Sequence, residues 1–281
     1  NKGKTQKLGL MNIDPPKFDL VIVDEAHHIS TDSQTSYYRV ITHLRNLNPD
    51  LIVLGLSATI YRLDQGLLYE GNDKLFDSCC YEVGIAKLMK EGYLCPLISK
   101  SSSKVINVKK LHTKMGEFDQ QELQIEADNE ELTNHVVQEL VTKCADRKSW
   151  IIFTTGVKHS EHVSEKLTEL GITNAIITGE TEPEVRADII ERFKNGEMRA
   201  IVNCAVLTEG FDNPDIDAVV LLTATKSPNK YVQCLGRGLR ISDKKKDCLV
   251  LDYGENVMRL GFLTDVKIPK ESKREKKDVK E

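Results

Sequence analysis

Short β-branched runs alternate with amphipathic stretches along almost all of this 281-residue chain. That alternation constrains the fold more than any other feature. A buried apolar run, a helix and another buried run in that order form a parallel βαβ unit. Phe18–Val23 is such a run and reads as a buried parallel strand. Ser36–Leu47 follows with helical spacing at Tyr37, Val40, Ile41, Leu44 and Leu47, and Leu51–Leu56 is the next buried run. Ile85–Gly92 predicts a further helix ended by its glycine.

The pattern then pauses. Leu94–Val108, with Pro96 and three consecutive serines, reads as a connector into a second domain. Leu111–Gln121 is ambiguous, and Asn129–Cys144 is amphipathic with Leu132, Val136, Leu140 and Val141 on one face. From Trp150 the alternation resumes. Strands are expected at Trp150–Phe153, Ala175–Ile177, Ala200–Cys204, Ala218–Leu222 and Cys248–Leu251, with helices at Ser160–Leu170, Glu184–Lys194 and Asn229–Leu239. Pro183 and Pro228 stand at helix starts, where a missing N–H costs nothing. The expected class is α/β, with mostly parallel, helix-covered sheets.

Composition excludes several function classes. Hydrophobic residues make up 40% of the chain, enough for real cores. No apolar run reaches the roughly 18 residues of a spanning helix, so no membrane role is expected. The net charge of −4 argues against a uniformly basic nucleic-acid coat but leaves room for a local basic surface. Residues 267–281 hold seven Lys/Arg and four Asp/Glu and read as a charged, mobile tail. The seven scattered cysteines include no C-x-x-C pair, which points to a reducing compartment, and the expected location is cytoplasmic.

The chemistry-bearing residues sit just beyond the apolar runs. Ligands of open α/β sheets bind at the carboxyl ends of strands, where Asp24 and Glu25 fall. Adjacent carboxylates there suit Mg²⁺-nucleotide chemistry, with Asp24 holding the metal through water and Glu25 orienting and deprotonating an attacking water. A solvated strand end and helix start would look the same over four residues. The neighbouring run ends in Ser57-Ala58-Thr59, whose hydroxyls can reach back to the acidic loop, above all to His27. An ordinary Ser/Thr cap is the plainer alternative.

In the second half, Leu207–Pro214 is a polar loop after an apolar run. Gly210 permits close backbone approach to a ligand, and Asp212 suits a ribose hydroxyl. Gln233–Arg240 places Arg237 and Arg240 three apart, which predicts one helical face. Planar, permanently charged guanidinium groups suit a phosphate with developing charge. Gly236 and Gly238 are costly inside a helix and predict close backbone packing.

Asp24-Glu25-Ala26-His27, Ser57-Ala58-Thr59, Thr208-Glu209-Gly210-Phe211-Asp212 and Gln233-x-x-Gly236-Arg237-x-x-Arg240 follow one another in the order of helicase motifs II, III, V and VI. In them the chain resembles superfamily 2 DEAH-box helicases and translocases, including type III restriction motor subunits and RadD-like repair helicases. The likeness runs from about Thr5 to about Tyr253. It implies two RecA-like parallel-sheet domains with ATP between them and nucleic acid, DNA by resemblance, across both. The expected boundaries are 1–97 for the first domain, 98–265 for the second and 266–281 for the tail.

Residue by residue, the resemblance makes Asp24 and Glu25 the Walker B pair and Arg237 and Arg240 the finger arginines. It puts His27, Gly210, Asp212 and Gln233 beside the nucleotide. Ser57 and Thr59 become coupling residues, and Thr178, Gly179 and Thr208 touch the nucleic-acid backbone. One departure stands out. The family's phosphate-cradling GxxxxGKS/T loop is not found, because Gly3-Lys4-Thr5 lacks the first glycine and a preceding strand. The first domain is therefore expected to be incomplete, and the chain is expected not to hydrolyse ATP by itself. Protein partners would act through flanking domains. Two other readings compete: a nucleic-acid-binding module without turnover, and an unrelated small-molecule phosphotransferase.

Overall fold

A computed structural model describes residues 17–29, 35–62, 66–70, 74, 76–208 and 211–266. Gly3-Lys4-Thr5, Gly210 and the tail from Lys267 lie outside the described residues. The chain divides into two compact units between Glu82 and Val83, ahead of the 97/98 boundary expected from sequence. The reason is packing. Helix α2 (Ile85–Lys90) sets Ile85 and Met89 against the core of the second unit, with Leu94 just beyond it.

In the first unit, β1 (Leu20–Val23) pairs in parallel with β2 (Ile52–Gly55), with Leu20 opposite Ile52 and Val23 opposite Gly55. Helix α1 (Ser36–Leu47) crosses between them and buries Ile41 and Leu44. Alternate strand residues point to opposite faces. Val21, Val23 and Val53 join Ala26, Ile29, Ile41 and Leu68 in one core. Leu20, Ile22 and Ile52 point the other way, with Ile22 58% and Ile52 65% exposed. The parallel pairing matches the sequence reading, but the expected burial of both runs does not. Among the described residues, only one face of this two-stranded sheet is covered. A short antiparallel pair, β3 (Tyr61–Arg62) and β4 (Gly66–Leu67), follows.

The second unit is built on a six-stranded, wholly parallel sheet. Its strands are β5 (Leu97–Ser99), β8 (Trp150–Phe153), β9 (Asn174–Ile177), β10 (Ala200–Asn203), β11 (Ala218–Leu221) and β12 (Cys248–Asp252), in the order β5-β12-β11-β8-β10-β9. Residues of β8, β10 and β11 are buried throughout, as near-continuous β-branched runs require. On one face, Trp150, Ile152, Val202 and Val220 meet α4 (Glu130–Lys143) and α5 (Val157–Glu169) through Val136, Leu140, Val163 and Leu167. On the other, Ile151, Phe153, Ile201 and Val219 meet α6 (Pro183–Lys194) and α7 (Pro228–Gly236) through Ile189, Phe193, Tyr231 and Leu235. Each fully buried aliphatic here contributes about 1.5–3 kcal/mol.

The helices begin where their caps dictate. The Asn129 side chain accepts the Leu132 N–H at 3.1 Å, and Glu130 and Glu131 occupy the first turn of α4. Ser227 accepts the Lys230 N–H ahead of Pro228. Gly171 and Gly196, at φ of 75° and 78°, take the left-handed turns just beyond α5 and α6.

Two segments differ from their sequence readings. The stretch read as a connector contains β5, which completes the sheet edge beside β12. The ambiguous stretch forms a hairpin of β6 (Thr113–Lys114) and β7 (Glu117–Phe118), followed by α3 (Gln120–Ala127). Helix α8 (Asn256–Leu260) follows β12, and a short 3-10 turn, Leu263–Asp265, comes after it. All seven cysteines are free thiols; Cys79 and Cys80 are exposed, and Cys95, Cys144, Cys234 and Cys248 are buried. Among the described residues, no helix is long and apolar enough to cross a membrane.

Candidate functional site

Asp24 and Glu25 stand immediately beyond β1, where the chain turns sharply. Glu25 takes left-handed backbone angles, φ 49° and ψ 47°, and donates its N–H to Asp24 Oδ1 at 2.8 Å. A non-glycine residue in that region is uncommon and costs energy. The turn is held because Ala26 donates its N–H to the Leu56 carbonyl and Leu56 donates to the Val23 carbonyl. Gly55 lets this turn lie close to β2, since a Cβ there would meet the Phe76 ring at 2.5 Å and the Ala26 side chain at 2.9 Å.

His27 is buried, and its Nδ1 lies 2.9 Å from Ser57 Oγ and 3.3 Å from Glu25 Oε2. Ser57 in turn donates to the Thr59 carbonyl and accepts the Thr59 N–H at 3.1 Å. The ends of two adjacent parallel strands are thereby joined through one imidazole. Thr59 contributes backbone groups to this link, and its buried hydroxyl has no hydrogen-bond partner among the described residues. The oxygen donors of Asp24 and Glu25 are of the hard type that Mg²⁺ takes. No group of three or more His, Cys, Asp or Glu side chains able to hold an ion by themselves occurs among the described residues. These residues fit a Mg²⁺ carried by one carboxylate, waters and nucleotide phosphates rather than a closed protein cage.

In the second unit, Arg237 and Arg240 converge on one loop. Arg237 donates to the carbonyls of Thr208, at 2.6 Å, and Phe211. Arg240 donates to the same Phe211 carbonyl at 2.9 Å and pairs with Asp212 at 2.6 Å. They do not share a helical face as the spacing predicted. Helix α7 ends at Gly236, Arg237 is its cap residue, and Gly238 and Leu239 donate to Leu235 and Gly236 in tight three-residue turns. Gly238 meets the expectation of close packing, because a Cβ there would lie 2.5 Å from Cys248 Sγ. Gly236 does not, since a Cβ there would meet open space. Gln233 sits half-buried on α7. Asp212, expected beside a ribose, pairs with Arg240 here.

The remaining expected residues lie beyond carboxyl ends of the same sheet. Thr178 follows β9, and its hydroxyl accepts the Glu180 N–H at 3.2 Å, the role of a turn cap. Gly179 is exposed with room for a Cβ. Thr208 lies in the loop after β10 and contributes its carbonyl to Arg237. Three contributors escaped the sequence reading. Arg186 donates to the carbonyls of Thr178 and Thr181, both at 3.2 Å. Thr154 bonds Ser160 at 2.6 Å, and Thr155 bonds the buried His159 at 3.0 Å, both just after β8. Thr154-Thr155-Gly156 between an apolar run and a helix was the signal available for the last two.

Residues 127–242 match the family of the helicase conserved C-terminal domain, and residues 4–62 match the type III restriction enzyme res subunit. In these two stretches the chain is similar to superfamily 2 helicases and restriction-enzyme motors. The chain is 32% identical over 263 residues to irc3 of Schizosaccharomyces pombe, whose name describes a mitochondrial ATP-dependent helicase. The match covers 91% of this chain and 41% of the relative. It is 27% identical over 262 residues to the ATP-dependent helicase Lhr-Core of Methanocaldococcus jannaschii, covering 89% of this chain and 28% of that one. The chain thus spans under half the length of these relatives.

Among solved structures, a fragment of an HsdR subunit of a type I restriction enzyme from Vibrio vulnificus aligns with TM-score 0.64 at 21% identity. That alignment covers 86% of this chain and 44% of that chain. The Mycobacterium smegmatis helicase Lhr bound to ssDNA and AMP-PNP aligns with TM-score 0.55 at 18% identity, over 89% of this chain and 32% of that one. At such identities the likeness is one of fold, and the fold is RecA-like.

Proposed function

We propose that this chain supplies motor elements of an ATP-dependent helicase or translocase that acts on DNA. The observation that carries the reading is the link from the Asp24-Glu25 turn through His27 to Ser57. Two carboxylates at a parallel strand end are useful to a motor when their position is tied to a neighbouring strand end. Asp24 would carry the nucleotide's Mg²⁺ through water, and the ion would offset phosphate charge. Glu25 would orient the attacking water and take its proton. The His27–Ser57–Thr59 connection would pass a change at the acidic turn to the segment after β2.

Arg237 and Arg240 would serve the developing charge on the transferred phosphoryl group. Gln233, Gly210 and Asp212 would line the nucleotide site, and Thr178, Gly179 and Thr208 the nucleic-acid track. Protein partners would act through domains beyond these two units. Free thiols fit the reducing, cytoplasmic setting expected from sequence. A second reading, a nucleic-acid-binding module without turnover, draws on the arginines. Both guanidinium groups are held by carbonyls of their own unit.

The deciding experiment measures ATP hydrolysis with Mg²⁺ by the protein and its Glu25→Gln variant, alone and with single-stranded DNA, duplex DNA or RNA. DNA-stimulated turnover that disappears in the variant supports the motor. Salt-sensitive DNA binding with no turnover supports the binding module. Turnover driven by a small metabolite, indifferent to nucleic acid, overturns both.

A further inference from the structure

The β6–β7 hairpin lies outside the four motifs, yet it carries an unusual tip. Met115 and Gly116 form its two-residue loop at φ of 51° and 83°, a turn with both residues left-handed. Asn-Gly or Asp-Gly would make that turn with least strain. A methionine is there instead, and it is 89% exposed. An apolar side chain held in water on a strained backbone serves neither the turn nor a core.

The hairpin is anchored, not loose. Glu117 accepts the Thr225 hydroxyl at 2.5 Å and the Lys226 N–H at 2.7 Å. Phe118 is buried against Ile106, Leu123 and Ala224, with Lys226 and Arg259 over its ring at 4.9 Å and 5.1 Å. Gln124, on the helix that follows, donates to the Thr155 carbonyl at 3.2 Å. The hairpin and α3 are thus fastened beyond the carboxyl ends of β11 and β8, on the same rim of the sheet as Thr208 and Thr178.

Charge around the tip is one-sided. The acidic groups nearby are each engaged within the unit: Glu117 as above, Asp119 as the cap of α3, and Glu122 bonded to His112 at 2.7 Å. Lys109, Lys110 and Lys114 are exposed, and their ammonium groups make no hydrogen bond or ion pair with the described residues. A fixed apolar tip flanked by free ammonium groups suits a polyanion with apolar faces. Nucleic acid has that chemistry, with phosphates for the lysines and a base face for the methionine.

The geometry points to the 113–118 hairpin as a nucleic-acid wedge: Met115 presses against a base at a single-strand/duplex junction while Lys110 and Lys114 hold the adjoining phosphates. This inference rests on the nucleic-acid reading of the preceding section and names the element that meets the junction.

The test uses the whole chain and a forked DNA carrying 2-aminopurine at the junction, with single-stranded DNA of the same sequence as control. The wild type should bind both and brighten the junction probe as the base unstacks. Met115→Asn keeps a residue that tolerates the left-handed turn, so the fold should be retained. It should cut the junction signal severalfold while leaving single-strand affinity within about twofold. Lys110→Glu with Lys114→Glu should weaken fork binding about tenfold and lower its salt dependence. Variants that bind and brighten the fork like the wild type overturn the wedge and leave the motor reading standing. A wild type that binds neither DNA overturns the nucleic-acid reading, and the wedge with it.

Discussion

Arg240 Nη1 lies 2.6 Å from Asp212 Oδ1, so a residue expected near ribose is also the partner of a residue expected near phosphate. The side chains are 39% and 70% exposed, and a pair that exposed contributes less than about 1 kcal/mol to stability. Its expected value lies in aiming the guanidinium. Asp212→Ala should leave the thermal midpoint within a few degrees of wild type while lowering DNA-stimulated ATP turnover of the full motor. An equal loss of stability and turnover would defeat the positioning role.

Arg237 and Arg240 are expected to act on the transition state more than on bound nucleotide. Removing arginine-finger charge costs about 10³ to 10⁵ in rate in related chemistry. Arg237→Ala or Arg240→Ala in the full motor should abolish turnover but spare binding of a fluorescent ATP analogue. Glu25→Gln should bind and hold ATP without hydrolysing it. Near-normal turnover in any of the three would remove that residue from the chemistry.

Gly236 and Gly238 offer a matched pair. A methyl at Gly238 would collide with Cys248 Sγ at 2.5 Å and Val219 Cγ2 at 3.1 Å, both in the packed core. Gly238→Ala should therefore destabilise the second unit by about 1–3 kcal/mol. Gly236→Ala meets nothing and should be neutral or stabilising by up to about 1 kcal/mol, as helix propensity favours. Chemical denaturation of the two variants separates the outcomes. Equal effects would contradict the packing.

Burial pushes the His159 imidazole down from 6.5 to about 4. Between those values the unfolded chain binds a proton that the folded one refuses. The contribution of His159 is thus fully present above pH 6.5 and is lost as pH falls toward 4. The loss reaches at most about 3 kcal/mol. His162, raised by its bond to Asp128, works in the opposite sense, so the comparison must be with a variant. The pH dependence of unfolding should flatten in His159→Asn across this window. Parallel curves for variant and wild type would show that the group titrates normally.

The two units should differ in protection. Residues of β8, β10 and β11 are buried on both faces, whereas Leu20, Ile22 and Ile52 lie on an open face of β1 and β2. Native-state hydrogen exchange should find the slowest amides in β8 and β11 and much faster exchange in β1 and β2. Uniform protection across all four strands would contradict this.

Much of this molecule can be read from short-range pattern. Ser36–Leu47 and Trp150–Phe153 were legible because a periodic or continuous apolar run fixes an element by itself. The helix predicted through Leu239 stops at Gly236, because the fit of Gly238 against Cys248 is a contact with a strand not adjacent in sequence. The hairpin was missed because its strands are two residues each and Met-Gly replaces the usual turn pair. Strand β5 was missed because three residues after Pro96 carry no period. At the site, the order of the motifs showed which residues to watch. That Arg237 and Arg240 share the Phe211 carbonyl, across more than twenty residues of chain, was not legible from spacing.

The distribution of thiols has a practical consequence. Burial raises Cys144 and Cys234 to about 12 and pushes Cys248 higher still, while Cys95 and Cys204 are also raised. Four of these are buried, and the half-buried Cys204 has its thiolate disfavoured by partial burial. Cys79 and Cys80 are the exposed thiols, and they lie near the end of the first unit just ahead of Val83. A maleimide dye added to the native protein would settle on this adjacent pair. A second dye on a nucleic acid or nucleotide would then report distances, with Cys204 the one other thiol to replace.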